Sequence, residues 1–236
     1  MKVLIVHAHP EPGSFTGAMK QLAVETLGSA GHEVRVSDLY EMKFNPVASA
    51  ADFRERTHSG YLVYALEQRH ADGTSTFAQD IAAEIEKVVW ADLLIFSFPI
   101  FWFSVPAIMK GWIDRVFISG RFYGGMRFYD RGGLKGKRAL LALTLGGQRH
   151  MFDAGGIHGP LDDMLRPLLR GTLGYLGFEV LPPFVSWHVP YISAAERRRF
   201  LEEYRRYLEA LDEQQPLRFP SLSDFDPLLR PLAERM

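Results

Sequence analysis

Four short stretches of the chain are apolar at consecutive positions: Val3–Val6, Leu93–Phe98, Ala139–Leu143 and Val180–Val185. Runs of this length predict strands covered on both faces. The alternating Glu33-Val34-Arg35-Val36 predicts a fifth, less buried strand. Between them the apolar spacing changes to three and four residues, which predicts helices. Met19, Leu22, Ala23, Leu27 and Ala30 follow the first strand. Ile81, Ala82, Ile85, Val88 and Val89 precede the strand at 93–98, Ile108 to Val116 follows it, and Met164 to Leu176 precedes the last. In the final helix Ser193 and Glu196 form a capping-box pair, and Phe200, Leu201, Tyr204, Leu208 and Leu211 draw one apolar stripe. Its Arg197-Arg198-Arg199 cluster stands among Glu196, Glu202 and Glu203, which predicts a solvated, ion-paired face.

Strands alternating with helices, without internal repeats, predict an α/β protein. The expected fold is a flavodoxin-like, doubly wound, five-stranded parallel sheet with helices on both faces. Residues 1–211 are expected to form one domain. Residues 212–236, with Pro216, Pro220, Pro227 and Pro231, are expected to form an extended tail on the body or on a partner subunit. Ligands of such sheets bind beyond the carboxyl ends of the strands, so the connectors there are the place to look for chemistry.

Composition narrows the chemistry. With no cysteine among 236 residues, disulfides, thiolate metal sites and cysteine nucleophiles are excluded. The 27 basic and 28 acidic side chains leave a net charge of −1, which argues against a nucleic-acid partner. No apolar run is long enough to span a membrane, and the start, Met1 to Val6, is too short for a signal-peptide core. A cytoplasmic protein is expected. A G-x-G-x-x-G fingerprint and a true P-loop are missing, and His7 and His9 lack a third partner for a metal. His7 reads as a hydrogen-bonded core residue.

Three connectors carry signal. The loop His9-Pro10-Glu11-Pro12-Gly13-Ser14-Phe15-Thr16-Gly17 opens a helix, whose free N–H groups and dipole suit a phosphate; simple capping by Ser14 or Thr16 fits equally well. The loop Pro99-Ile100-Phe101-Trp102-Phe103-Ser104-Val105-Pro106 offers three consecutive aromatics, either as packing for a core or interface or as a wall for a flat conjugated ring. Thr144-Leu145-Gly146-Gly147-Gln148 places two glycines where a backbone approaches a ligand. Together they suggest a flavin. The segment Gly120–Gly136, with six glycines and four aromatics, reads as a loop or lid.

At these residues the sequence resembles the flavin-dependent NAD(P)H:quinone oxidoreductases, the DT-diaphorase family. The shared features are Ala8-His9-Pro10-Glu11-Pro12 with Ser14-Phe15, then Ser37-Asp38-Leu39-Tyr40, the run from Phe98 to Trp112, and Gly146-Gly147 with Gly156-Ile157-His158-Gly159. The resemblance implies a two-electron reductase that binds FAD, rather than FMN, in a homodimer whose active sites draw on both subunits. It implies hydride transfer from NAD(P)H to quinones or similar electrophilic aromatics by a ping-pong route. It places His9, Ser14, Phe15 and Thr16 at the pyrophosphate and adenosine side. Pro99, Ile100, Trp102, Phe103, Thr144, Leu145, Gly146 and Gly147 fall at the flavin ring and ribityl chain, and Arg197 and Leu201 at the adenine end. His158 becomes the residue that stabilises charge on the ring or donates a proton. Tyr123, Phe128, Gly171 and Tyr175 of the other subunit, with Phe152, line the substrate slot. Phe152 stands where the family carries a tyrosine, Gly125 stands where it carries an aromatic, and Arg170 and Gly174 occupy the histidine positions of a metal site found in some members. The alternative role, an ancillary subunit of a potassium-efflux system, belongs to the wider family.

Overall fold

The structure is a computed structural model, and it describes residues 1–232. Strands β1 (Lys2–His7), β2 (Glu33–Asp38), β3 (Leu93–Pro99) and β4 (Arg138–Thr144) run parallel in the order β2-β1-β3-β4. The last strand, expected over Val180–Val185, is split into β5 (Glu179–Val180) and β6 (Phe184–Ser186), both paired with β4. Pro182 and Pro183 occupy the gap. Neither has an N–H to give, so the ladder with β4 breaks there and resumes beyond them.

Among the described residues six α-helices cover the sheet: α1 (Phe15–Ser29), α2 (Tyr64–Thr74), α3 (Gln79–Trp90), α4 (Ala107–Val116), α5 (Leu161–Leu168) and α6 (Ala194–Glu209). Successive strand residues point to opposite faces. Val3, Ile5, Leu93, Ile95, Leu140 and Ala142 pack with α1 and α6 through Met19, Leu22, Leu27, Tyr204 and Leu208. Leu4, Val6, Leu94, Phe96, Leu141 and Leu143 pack with α3 and α4 through Ile81, Ile85, Val88, Met109 and Trp112. Both faces are thus apolar, which is why the runs in the sequence are continuous.

Helix α2 carried no apolar signal because it buries polar groups. The Glu67 carboxylate accepts from the N–H groups of Thr57 and His58, and the Gln68 side chain accepts from the Ser119 N–H. The helix expected over Met164–Leu176 begins at Leu161, contains Pro167, and continues as a wider π turn over Leu169–Gly174. A proline removes one intrahelical bond, and such a widened turn follows from it.

The tail crosses the sheet edge and the loops beside it. The Leu217 N–H donates to the Val180 carbonyl at 2.8 Å, Phe219 covers Gly174, and the Leu222 N–H donates to Asp130 at 2.9 Å. The register brings His7 level with Ser97 and Pro99 level with Thr144, so the strands end together on one rim.

Candidate active site at the carboxyl ends of the strands

Each of the three connectors is anchored by a bond to a neighbour. In the first, Ser14 is the N-cap of α1: its hydroxyl accepts from the Gly17 N–H at 3.0 Å. Of the two readings left open at Ser14, capping is the one observed, and it leaves the N–H groups of Phe15 and Thr16 without an acceptor among the described residues. His9 Nδ1 lies 3.0 Å from the Glu11 N and 3.1 Å from the Glu11 carbonyl oxygen, so the loop backbone holds the ring in place. Burial holds this imidazole below its usual pKa. A helix start with two free donors and an imidazole beside it can hold a phosphate.

The Thr16 hydroxyl shares a hydrogen bond of 2.9 Å with the Thr144 hydroxyl, both buried, which ties the first connector to the third. The Ile100 N–H donates to the Thr144 carbonyl at 2.8 Å and ties in the second. His7, on the same rim, is a core residue as expected: 1% exposed, with Nδ1 3.0 Å from the Ser97 hydroxyl. Burial lowers its pKa to about 4, against the pull of Asp38. Asp38 itself is held below the usual carboxylate range: burial works against this, but the Lys20 ammonium at 2.8 Å and the Glu41 N–H outweigh it.

The aromatic connector is a tight two-residue turn. Phe101 and Ser104 exchange both backbone bonds at 3.0 Å, and the central Trp102 and Phe103 have φ of 49° and 59°. That is the mirror-image hairpin turn normally built from Asn and Gly, held here by two bulky aromatics. The aromatics do not retire into a core: Trp102 is 95% exposed and Phe103 is 45% exposed.

Phe103 lies 5.4 Å from the His158 ring, and His158 in turn lies 4.9 Å from Phe152, which packs on Trp187 at 5.5 Å. The His158 N–H donates to the Met151 carbonyl, fixing the loop that carries it. Phe152 also bounds the glycine connector, because a Cβ added at Gly147 would stand 2.5 Å from its ring. Phe103, His158, Phe152, Gly147 and Gly146 thus form one group.

Tyr123, Gly171 and Tyr175 form a second. They border a hollow of about 190 Å³ together with Asp114, and Phe128 stacks on Tyr175 at 5.4 Å. Within this chain no ring contact joins the two groups among the described residues.

On α6 the ion-paired face expected of the arginine cluster holds for Arg199, which meets Glu203 at 3.6 Å, but not for Arg197. Arg197 turns inward: its Nη2 donates to the Val189 carbonyl at 3.2 Å, and its buried Nε has no partner. Leu201, one turn on, packs beside the α1–α6 core. Sequence reasoning missed His188 and Tyr191, which close the rim between β6 and α6. Their rings lie 4.8 Å apart, and Tyr191 is the nearest atom group to the open side of Gly146. Their position directly after the last strand, on the edge where ligands of such sheets generally bind, was the available signal.

The sequence profile of a family described as Flavodoxin-like fold matches residues 1–210. The ribosyldihydronicotinamide dehydrogenase [quinone] of Mus musculus is 43% identical over 217 residues, covering 92% of this chain and 94% of that protein. NAD(P)H dehydrogenase [quinone] 1 of Cavia porcellus is 41% identical over 226 residues, covering 95% and 82%. A crystal structure from Klebsiella pneumoniae, described as that of a proposed quinone reductase, superposes with a TM-score of 0.94 at 40% identity over 98% of this chain and 93% of its own. General stress protein 14 of Treponema denticola, solved in complex with FMN, gives a TM-score of 0.64 at 25% identity over 89% and 99%. The potassium-efflux ancillary protein KefF of Enterobacter is 43% identical over 120 residues, only 51% of this chain and 64% of that protein.

Proposed function

The chain belongs to the flavodoxin-like family, with quinone dehydrogenases matching nearly its whole length, and from that membership we propose that it is a flavin-dependent NAD(P)H:quinone oxidoreductase. The observation that carries this reading is the convergence of a donor-lined helix start, an exposed aromatic turn and a glycine shelf on one sheet rim, held together by Thr16, Thr144 and Ile100. The ancillary-subunit alternative is the weaker reading, since that relative matches about half of the chain.

The residues present fit a flavin, and they fit FAD better than FMN. The free N–H groups of Phe15 and Thr16, with the His9 imidazole beside them, suit a pyrophosphate. The unpartnered Nε of Arg197 lies farther along the rim on α6, where a buried cation donor calls for an acceptor from the adenosine half. An FMN would leave that donor unused. Trp102 and Phe103 supply the apolar wall, and Gly146 and Gly147 supply backbone donors opposite it. When bound, the flavin supplies the capacity to accept a hydride from one partner and release it to another.

The chain's own contribution is placement and electrostatics. His158, wedged between Phe103 and Phe152, offers an imidazole at the ring edge to stabilise developing negative charge or to pass a proton to the reduced acceptor. Phe152 has no hydroxyl, so it contributes packing and leaves the hydrogen-bonding task to His158 and the glycine amides. At about 190 Å³ the hollow among Tyr123, Gly171 and Tyr175 is below the usual size of a ligand site. A second copy would complete the slot by bringing this aromatic group over the first chain's His158, with donor and acceptor taking turns in the one space. Exposed Val47, Tyr61, Leu62, Val63 and Leu66 offer the apolar face for such a dimer.

The deciding test is to reconstitute the protein separately with FAD and FMN. The reduction of a benzoquinone is then followed with NADH, NADPH and dihydronicotinamide riboside as donors. Tighter retention of FAD and parallel initial-rate lines on varying both substrates are expected. Protein that takes up neither flavin, or that passes no electrons to quinone when loaded, rejects the proposal.

A further inference from the structure

Resting on the flavin-site reading, we infer that His188 is a positioning residue. It holds the glycine shelf so that the amides of Gly146 and Gly147 face the ligand. Three consecutive carbonyls of the third connector accept from one short segment. Leu145 accepts from the Val189 N–H at 3.1 Å, Gly146 from His188 Nδ1 at 2.7 Å, and Gly147 from the His188 N–H at 3.0 Å. In a planar trans peptide the N–H points away from the carbonyl to which it is bonded. Turning the carbonyls of Leu145 and Gly146 toward the 188–189 segment therefore turns the N–H groups of Gly146 and Gly147 the other way, and neither has a protein acceptor. Two successive free amides on one side form a concavity for an anion or a partially negative oxygen.

Only the Gly146 bond uses a side chain. It fixes the tautomer as well, because a carbonyl can only accept, so His188 Nδ1 carries the proton. The residue also has φ 56° and ψ 26°, a left-handed backbone that histidine tolerates better than most residues but that glycine and asparagine adopt more readily. It persists because its neighbours fix it: the ring lies 4.8 Å from Tyr191, and the Tyr191 N–H donates to the His188 carbonyl at 2.9 Å. Arg197 extends the same brace by donating to the Val189 carbonyl. Strain held in place beside a ligand site is the pattern expected of a residue kept for its geometry.

Two variants separate the side-chain bond from the backbone. His188→Asn keeps a short N–H donor and the left-handed preference; His188→Gly relieves the backbone and removes the donor. The amide resonances of Gly146 and Gly147 are read in the flavin-free protein. Flavin affinity and two-electron potential are read in the loaded one. H188G is expected to displace or broaden both amide resonances, to weaken flavin roughly three- to tenfold, the worth of one hydrogen bond, and to move the potential to more negative values. H188N is expected to stay near the unsubstituted protein in all three. Unchanged amide resonances in H188G, or an H188N that behaves like H188G, overturns the assignment. If the unsubstituted protein binds no flavin, the functional reading falls, while the amide resonances still decide the role of His188.

Discussion

At the scale of single residues, His7 makes the clearest pH prediction. Its folded pKa of about 4 lies below the ordinary histidine value of 6.5, and burial is the main cause. The unfolded chain therefore binds more protons between those values, so this contribution to stability is complete above pH 6.5 and is lost as the pH falls toward 4. By pH 5 the loss should be about 2 kcal/mol. Denaturant titrations of the native protein and of H7N at pH 7.5 and 5 should show the loss in the first and a smaller loss in the second.

The two shelf glycines make a second prediction at this scale. A methyl at Gly147 meets the Phe152 ring at 2.5 Å, whereas at Gly146 the nearest atom, on Tyr191, is 3.9 Å away. G147A should lower stability by about 1–3 kcal/mol, the usual range for overpacking, and should cost less when made in an F152A background. G146A should leave the melting temperature nearly unchanged while weakening flavin binding, because its methyl enters open space on the ligand side.

At the scale of elements, the turn at Phe101–Ser104 sets stability against function. Two aromatics in the left-handed region cost about 1–2 kcal/mol each, and Trp102 recovers little of this by burial because it is almost fully exposed. Replacing the pair with Asn-Gly (W102N/F103G) should raise the melting temperature and slow quinone reduction together. A variant that is neither more stable nor less active would mean that the turn is not held for the ligand. The split last strand and the unforeseen α2 belong to this scale as well. The prolines that break the strand stood in plain view at 182 and 183, inside an apolar run that dominated the reading. The signal of α2 was absent because Glu67 and Gln68 point inward, and their burial depends on backbone donors and acceptors from Thr57, His58, Asp114 and Ser119.

At the scale of the whole molecule, the two aromatic groups argue for a dimer. His158 and its neighbours form one group, and Tyr123 and Tyr175, with Phe128 stacked on the latter, border a separate, small hollow. The apolar side chains at the start of α2 and at Val47 lie near each other, since Asp52 accepts from Tyr64 and Arg115 while Arg115 also donates to the Asn45 carbonyl. Sedimentation equilibrium should give twice the 26.8 kDa chain mass. The double variant L62D/L66D should sediment as a folded single chain with turnover reduced by at least about tenfold, because each half-site loses its cover. Full activity in such a monomer would refute the shared slot.

Sequence by itself determined the parallel sheet and the connectors at the carboxyl ends of its strands. Strands buried on both faces must be apolar at every position, and that constraint is local enough to read directly. It also supplied the three connectors and the resemblance that orders them. Only the tertiary structure decided which donors stay free. Ser14 and Thr16 look alike in sequence as phosphate ligands, yet one hydroxyl caps its helix and the other is shared with Thr144. The arginines at 197 and 199 are both cationic, yet one pairs with a glutamate on the surface and the other is half-buried with a covered, unused Nε. His188 carried no signal beyond its place after the last strand, because its bond to the Gly146 carbonyl spans 42 residues of chain. A hydrogen bond spent inside the fold cannot serve a ligand, and that allocation is made only when distant segments meet.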